Sequence, residues 1–216
     1  FGVGGEFPHE YAACDVPHNE RGARLAEGVT VLRKFFSGEP VTHHGKFYGP
    51  FENVPMNPPP RQAGGPPIWF AGRKEAAQRR IGRLGDGYLA YVISPDMYRA
   101  SLATIGEAAD QAGRGSIPFG TGHLLFTRLD HTYEEALDRA PATLSVRYAM
   151  DFRKAAERYC ALGTPAMVAE RIREFYAAGV RHVVLDLLGP YEQKTQQIEW
   201  FAREAMPLLA DLTAGS

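Results

Sequence analysis

Cysteine is almost absent. Cys14 and Cys160 are the only two in 216 residues, which excludes a disulfide framework and makes a reducing cytoplasm the expected compartment. No apolar run is long enough to span a bilayer, and no basic start followed by an apolar core marks a secretory leader. An excess of either charge is missing too. Twenty-four Lys and Arg face 25 Asp and Glu, for a net charge of -1, so broad electrostatic affinity for nucleic acid is not expected. Aromatic residues are plentiful but do not interleave with a basic groove. A starting methionine is lacking as well: the chain opens on Phe1-Gly2-Val3-Gly4-Gly5, as though already inside a strand. What is present is the composition of a folded chain, 44% hydrophobic and 23% charged, with enough apolar residues for one good-sized core or two small ones.

Strand and helix signals alternate along the chain. Phe1 to Val3 reads as a strand remnant running into glycines. A helix is expected over Gly22 to Phe36, where Leu25, Val29, Leu32 and Phe36 share a face. Pro40 to Tyr48 is β-like and suits a hairpin arm, and Asn53 to Pro67 is a Pro/Gly-rich loop, so residues 37–67 read as an inserted arm. Strands are expected over Pro67–Gly72, Asp86–Ile93, Phe119–Leu129 and Val180–Leu188. Between them lie helices announced by Ser94-Pro95, by the Thr132/Glu135 capping pattern and by Thr164-Pro165. A last helix runs through Ile198, Phe201, Ala205, Leu208 and Leu212, with Pro207 kinking or splitting it. The stretch from Ala149 to Gly163 reads as a loop. Strands alternating with helices imply βαβ units and a parallel sheet. A doubly wound sheet and a (β/α)8 barrel both fit; a barrel would lack its first strands here, since about five strands are convincing where eight are needed.

Three stretches carry chemistry-bearing residues. In Gly2-Val3-Gly4-Gly5-Glu6, glycines after a strand let backbone approach a ligand, and Glu6 is placed as a base or polar clamp; a tight turn with a solvated glutamate is the plainer alternative. Phe7 stands where a dinucleotide fingerprint needs its third glycine. In Trp69-Phe70-Ala71-Gly72-Arg73-Lys74, a strand ends in small residues and a helix begins with two cations. That placement opposes the helix dipole and suits a bound phosphate, with a surface basic pair as the alternative. Gly85-Asp86-Gly87-Tyr88 is a turn into a strand. His9, Cys14 and His18 match no zinc spacing, so no metal is expected. His123 and His182 fall in strand patterns and read as core or strand-end residues. Lys46, Lys74, Lys154 and Lys194 lie in loops or helices, which disfavours an aldolase-type Schiff base.

Taken in order, these segments resemble the luciferase-like monooxygenase family of the bacterial-luciferase superfamily. The resemblance is carried by Gly2-Val3-Gly4-Gly5-Glu6, by Arg21-Gly22-Ala23-Arg24-Leu25-Ala26-Glu27, by His44-Gly45-Lys46-Phe47-Tyr48, by Pro66-Pro67-Ile68-Trp69-Phe70-Ala71-Gly72, by Gly85-Asp86-Gly87-Tyr88, and by Gly163-Thr164-Pro165 with Ala178-Gly179-Val180. It implies an α/β fold of the (β/α)8 TIM-barrel type lacking the first strands. Residues 1–216 would then be one N-terminally incomplete barrel domain. It also implies FMN, or alternatively the deazaflavin coenzyme F-420, and a small organic substrate with molecular oxygen. By the same resemblance Glu6 and His9 are the catalytic candidates, Gly4 and Gly5 lie near the flavin, Gly72, Arg73 and Lys74 hold its phosphate, and Asp86 supports that face. The missing strands imply an open sheet edge near Phe1, which must be paired or covered. A homo-oligomer is therefore expected, with no nucleic-acid or membrane partner. An F-420-dependent dehydrogenase or reductase is the alternative on the same fold. A binding-only fragment that associates through the open edge is the alternative of another class.

Overall fold

A computed structural model of the chain describes residues 1–5 and 7–213. They form two compact units, one of Phe1–Tyr88 with Thr104–Phe119, the other of Leu89–Ala103 with the residues from Gly120 onward.

The first unit holds α1 (Pro8–Ala13), α2 (Arg21–Phe36), the strands β1 (Val41–His43) and β2 (Phe51–Val54), the short β3 (Trp69–Phe70) and α3 (Glu75–Leu84). β1 and β2 pair antiparallel, Val41 opposite Val54, so the expected arm is a hairpin. β3 runs parallel to the start of β4 (Gly87–Tyr91), with Trp69 beside Gly87 and Phe70 beside Tyr88. On its other side β3 is joined by Phe1. The Phe1 nitrogen donates to the Trp69 carbonyl at 2.5 Å and the Ala71 amide to the Phe1 carbonyl at 2.8 Å, the two bonds of a parallel ladder. Ile68, Phe70, Ile81 and Tyr88 are buried at the centre. Of the face expected on α2, only Val29 is fully buried; Leu25, Leu32 and Phe36 are half-buried.

The second unit is built on β5 (Gly120–Leu129), which neighbours the rest of β4 and pairs in parallel with β6 (Ala161–Gly163) at its end and with β7 (His182–Leu187) along its length. Around them lie the first turns of α4 (Pro95–Gln111), α5 (Tyr133–Tyr148), α6 (Arg153–Tyr159), α7 (Pro165–Ala177) and α8 (Lys194–Trp200). One core joins Phe126 and Leu188 to Leu137, Ala140 and Leu144 of α5 and to Phe152, Ala156, Cys160 and Leu162. The α5 residues fall at i, i+3 and i+7, the spacing of one helix face. Burying a side chain such as Leu144 stabilises by about 2 kcal/mol.

Most expected elements are present within a residue or two. Thr132 caps α5 by accepting from the Glu135 amide at 3.1 Å, and Thr164 caps α7 by accepting from the Met167 amide at 3.4 Å. Pro207 does interrupt the last helix: α8 passes into a π-turn at Phe201–Ala205 and a 3-10 turn at Met206–Leu209. Two segments differ. Pro8 to Ala13 is helical, and Ala149 to Gly163 holds α6 and β6 rather than a plain loop. In both, a short helix is stabilised by its packing or side-chain contacts and leaves no periodic signal long enough to read. The fold is therefore α/β with a parallel sheet, and among the described residues the sheet does not close on itself. No described helix is long and apolar enough to cross a membrane.

Candidate functional site

The first unit gathers the glycine-rich residues at one end of its parallel strands. From Phe1 the chain leaves the sheet through Gly2 to Gly5, and from Phe70 it leaves through Ala71 to Lys74, both at the C-terminal strand end. Ligand sites in parallel α/β sheets lie at that end.

Gly72 sits in the elbow between β3 and α3. A Cβ there would lie 2.5 Å from the Ala77 Cβ, so glycine is what lets the strand turn directly onto the first turn of the helix. The buried Tyr88 hydroxyl donates to the Gly72 carbonyl at 3.1 Å and fixes the elbow from below. Lys74 is the N-cap residue of α3, and no side chain caps that helix. Arg73 and Lys74 are exposed beside the helix start. Glu75, in the first turn, would repel an anion, but Arg79 holds its carboxylate at 2.8 Å. Uncapped helix amides with two flanking cations are an anion cradle. The flavin phosphate fits this donor set.

The glycine turn has its own lock. Gly4 has a φ of +87°, a left-handed conformation that favours glycine, and a Cβ on it would overlap the Tyr11 hydroxyl. That hydroxyl, on α1, bonds the Val3 carbonyl and reaches the Gly5 carbonyl at 3.1 Å. The Tyr11 ring meets His18 edge-on at 4.9 Å, and Arg21 bonds the His18 ring. Tyr11 was not among the residues expected from sequence, because nothing in the spacing shows that α1 folds back over the turn.

The other expected residues separate. His9 is exposed on α1, its ring tilted against Phe7 at 5.7 Å, and it stands two residues from Tyr11, hence on the other side of the helix. Glu6 lies outside the described residues. Asp86 is not brought to the cradle. The Asp86 amide donates to the Ile68 carbonyl, level with the start of β3, while Gly72 lies four residues further on, about 13 Å at strand rise. Its carboxylate accepts from the Ile68 amide at 2.8 Å, from Arg33 at 2.8 Å and from Arg114 at 3.3 Å. Burial by itself would raise its pKa, but the amide and the two guanidinium groups hold it below the ordinary carboxylate range.

The residue run from Arg21 to Glu27 fastens the hairpin arm. Arg24 pairs with Glu20 at 2.9 Å and lies 4.8 Å over the Phe47 ring. Glu27 accepts from the amides of Phe47 at 3.0 Å and Tyr48 at 2.9 Å. Burial pushes its pKa up, and these amides with His43 more than reverse that, leaving it lowered. A depressed carboxylate pKa means that the clasp is complete above the ordinary pKa near 4.5 and weakens as pH falls below it. Glu27→Gln should loosen the arm, read as faster amide exchange at Phe47 and Tyr48 at pH 7; unchanged exchange at both would remove the clasp.

In the second unit, the C-terminal ends of β5 and β7 are tied by a buried polar network. Arg128 and Asp130 are both nearly sealed from solvent, at 4% and 3% exposure. Arg128 donates to Asp130 at 3.1 Å, to the Leu188 carbonyl at 3.1 Å and to Gln193 at 2.8 Å. Arg139 adds a second guanidinium to Asp130 at 2.5 Å. Gln197 both accepts from the Leu129 amide and donates to its carbonyl, each at 2.9 Å.

The sequence profile of the luciferase-like monooxygenases matches residues 1–182. The chain belongs to that family. It is 24% identical over 211 residues to an F-420-dependent glucose-6-phosphate dehydrogenase of Microbacterium testaceum, covering 88% of this chain and 61% of the relative. It is 28% identical over 262 residues to an FMNH(2)-dependent dimethylsulfone monooxygenase of Pseudomonas fluorescens, covering 98% of this chain and 65% of that one. Among solved structures it resembles the monooxygenase RslO1 from Streptomyces bottropensis, with a TM-score of 0.78 and 25% identity over 96% of this chain and 67% of that one. The chain thus spans about three fifths of the length of these curated luciferase-like relatives. Both FMN and F-420 users stand among them, so a flavin or deazaflavin cofactor is supported at the level of the family.

Proposed function

We propose that this luciferase-like chain is part of an FMN-dependent monooxygenase or oxidoreductase acting on a small organic substrate with molecular oxygen, on a (β/α)8 barrel of which these residues form the later strands. The observation that carries it is the Gly72 elbow: a strand end passing straight into an uncapped helix start flanked by Arg73 and Lys74. In this assignment Gly72, Arg73 and Lys74 hold the phosphate, while Gly4 and Gly5 bring backbone close to the bound cofactor. Tyr11 keeps the glycine turn in shape. Asp86 holds β3 and β4 in register from the opposite strand end. A bound flavin would supply the redox chemistry, and the protein position and proton handling. Proton transfer falls to Glu6 or His9, two of the titratable side chains that follow the turn in sequence. Replacing the one that carries it should slow turnover by about a hundredfold without weakening cofactor binding.

Coenzyme F-420 is the second reading, favoured by the dehydrogenase relative. Fluorescence titrations with FMN, riboflavin and F-420 separate the two. FMN should bind about a hundredfold more tightly than riboflavin, which lacks the phosphate, and Arg73→Gln with Lys74→Gln should erase that gap. Equal affinity for FMN and riboflavin would remove the phosphate cradle. Preference for F-420 would move the cofactor, and binding of none of the three would end the proposal.

A further inference from the structure

Glycine has no side chain to set the direction of its own carbonyl, so at Gly72 that direction has to come from elsewhere in the fold. Two buried side chains of the same unit bear on it. Tyr88, on β4 beside Phe70, is 0% exposed, and its hydroxyl donates to the Gly72 carbonyl at 3.1 Å. Gln78, on α3, is 9% exposed, and its side-chain amide donates to the Arg73 carbonyl at 3.0 Å. Two successive carbonyls of the elbow are thus drawn towards buried donors. Packing alone does not call for either donor. A phenylalanine or a methionine would fill much the same space with no polar group to take out of water.

A trans peptide holds its C=O and N–H on opposite sides of one plane. The cis peptides of the described residues are at Gly49-Pro50 and Asn57-Pro58, so both peptides of the elbow are trans. Holding the Gly72 carbonyl therefore turns the Arg73 amide away from Tyr88. Holding the Arg73 carbonyl turns the Lys74 amide away from Gln78. With its carbonyls outward the elbow would offer oxygen to an anion and repel it; with them drawn inward it offers successive N–H groups, the arrangement of a backbone anion nest. We infer that Tyr88 and Gln78 are positioning residues, each holding one peptide of the Gly72–Lys74 elbow so that its amide is presented to the cofactor phosphate. They act through the backbone of the cradle proposed above, and their assignment rests on that reading of the cradle.

Amide-proton shifts of the isotope-labelled chain, followed by NMR in titrations with FMN, riboflavin and inorganic phosphate, test each peptide separately. In the wild type, FMN and phosphate should move the Arg73 and Lys74 amide protons downfield, as each takes a charged acceptor, and riboflavin should not. Tyr88→Phe should abolish the shift at Arg73 and spare the one at Lys74; Gln78→Met should do the reverse. Each substitution should weaken FMN binding about tenfold and leave riboflavin binding within about twofold. A merely structural role would weaken both ligands together and so overturns the inference. Wild-type amides that stay unmoved while FMN or phosphate binds also overturn it, with no substitution needed should Tyr88→Phe not fold. So does a preference for FMN over riboflavin that survives in both variants with native circular dichroism, an outcome that leaves the cradle itself standing. Equal wild-type affinity for FMN and riboflavin sinks the cradle and this assignment with it. Shifts at both amides with phosphate, in a chain that prefers F-420 to FMN, support the aimed amides and move only the cofactor.

Discussion

Asp130→Ala is expected to lower the thermal midpoint by about 10 °C. Asp130 is 3% exposed and, among the described residues, is the only carboxylate bonded to Arg128, itself 4% exposed. Removing it leaves a guanidinium charge buried with only neutral acceptors, the Leu188 carbonyl and Gln193. Breaking a buried pair from one side costs about 3–5 kcal/mol, because the remaining charge has lost both water and partner. Arg139 adds little to the loss, since its side chain is 55% exposed and regains water. The paired replacement Arg128→Met with Asp130→Leu should recover much of the midpoint, as removing both charges ends the desolvation cost. Calorimetry on the two variants checks this. A drop of less than about 2 °C for Asp130→Ala, or a double variant less stable than the single one, would show that the network is not what holds the β7 turn to β5.

Acid should destabilise the chain through His123. The ring is fully buried, stacked on Phe175 and edge-on to Tyr98 at 6.1 Å, and among the described residues neither ring nitrogen completes a well-formed hydrogen bond. Burial, with the Arg171 charge added, pushes its pKa down to about 4 from 6.5, against a smaller opposing contribution from the Ala90 backbone. The folded-state pKa is thus below the unfolded one. Between those values the unfolded chain takes up a proton that the native state refuses, so stability is whole above pH 6.5 and falls as pH drops towards 4. The loss is about 2 kcal/mol by pH 5 and about 3 kcal/mol by pH 4. Urea midpoints at pH 7.5 and pH 5 measure it, in a window above most carboxylate titrations. His123→Phe keeps an aromatic ring against Phe175 and should flatten the dependence. An equally steep fall in that variant would falsify the assignment to His123.

Much of this was legible before any coordinates. Pattern and punctuation placed the longer helices, α2 to α5 and α7, because Ser94-Pro95, Thr132 and Thr164-Pro165 act locally and a cap works through the next three amides. The parallel sheet followed from strands alternating with helices. The Gly72-Arg73-Lys74 stretch could be singled out because two cations at a helix start run against the dipole. The short elements could not be placed. α1 and α6, of six and seven residues, have no independent helical stability and form where tertiary contacts allow.

The sequence by itself determined the family, the α/β class and the helix start that carries Gly72, Arg73 and Lys74, since each depends on residues adjacent along the chain. Tertiary structure decided what stands next to what. It put Tyr11 on the glycine turn, set Asp86 at the strand end away from Gly72, and gave Glu27 the task of clasping the arm. The physical reason is range. Caps, turns and helix faces are set by neighbours within about four residues, whereas ion pairs and buried networks join residues that only the folded chain brings together.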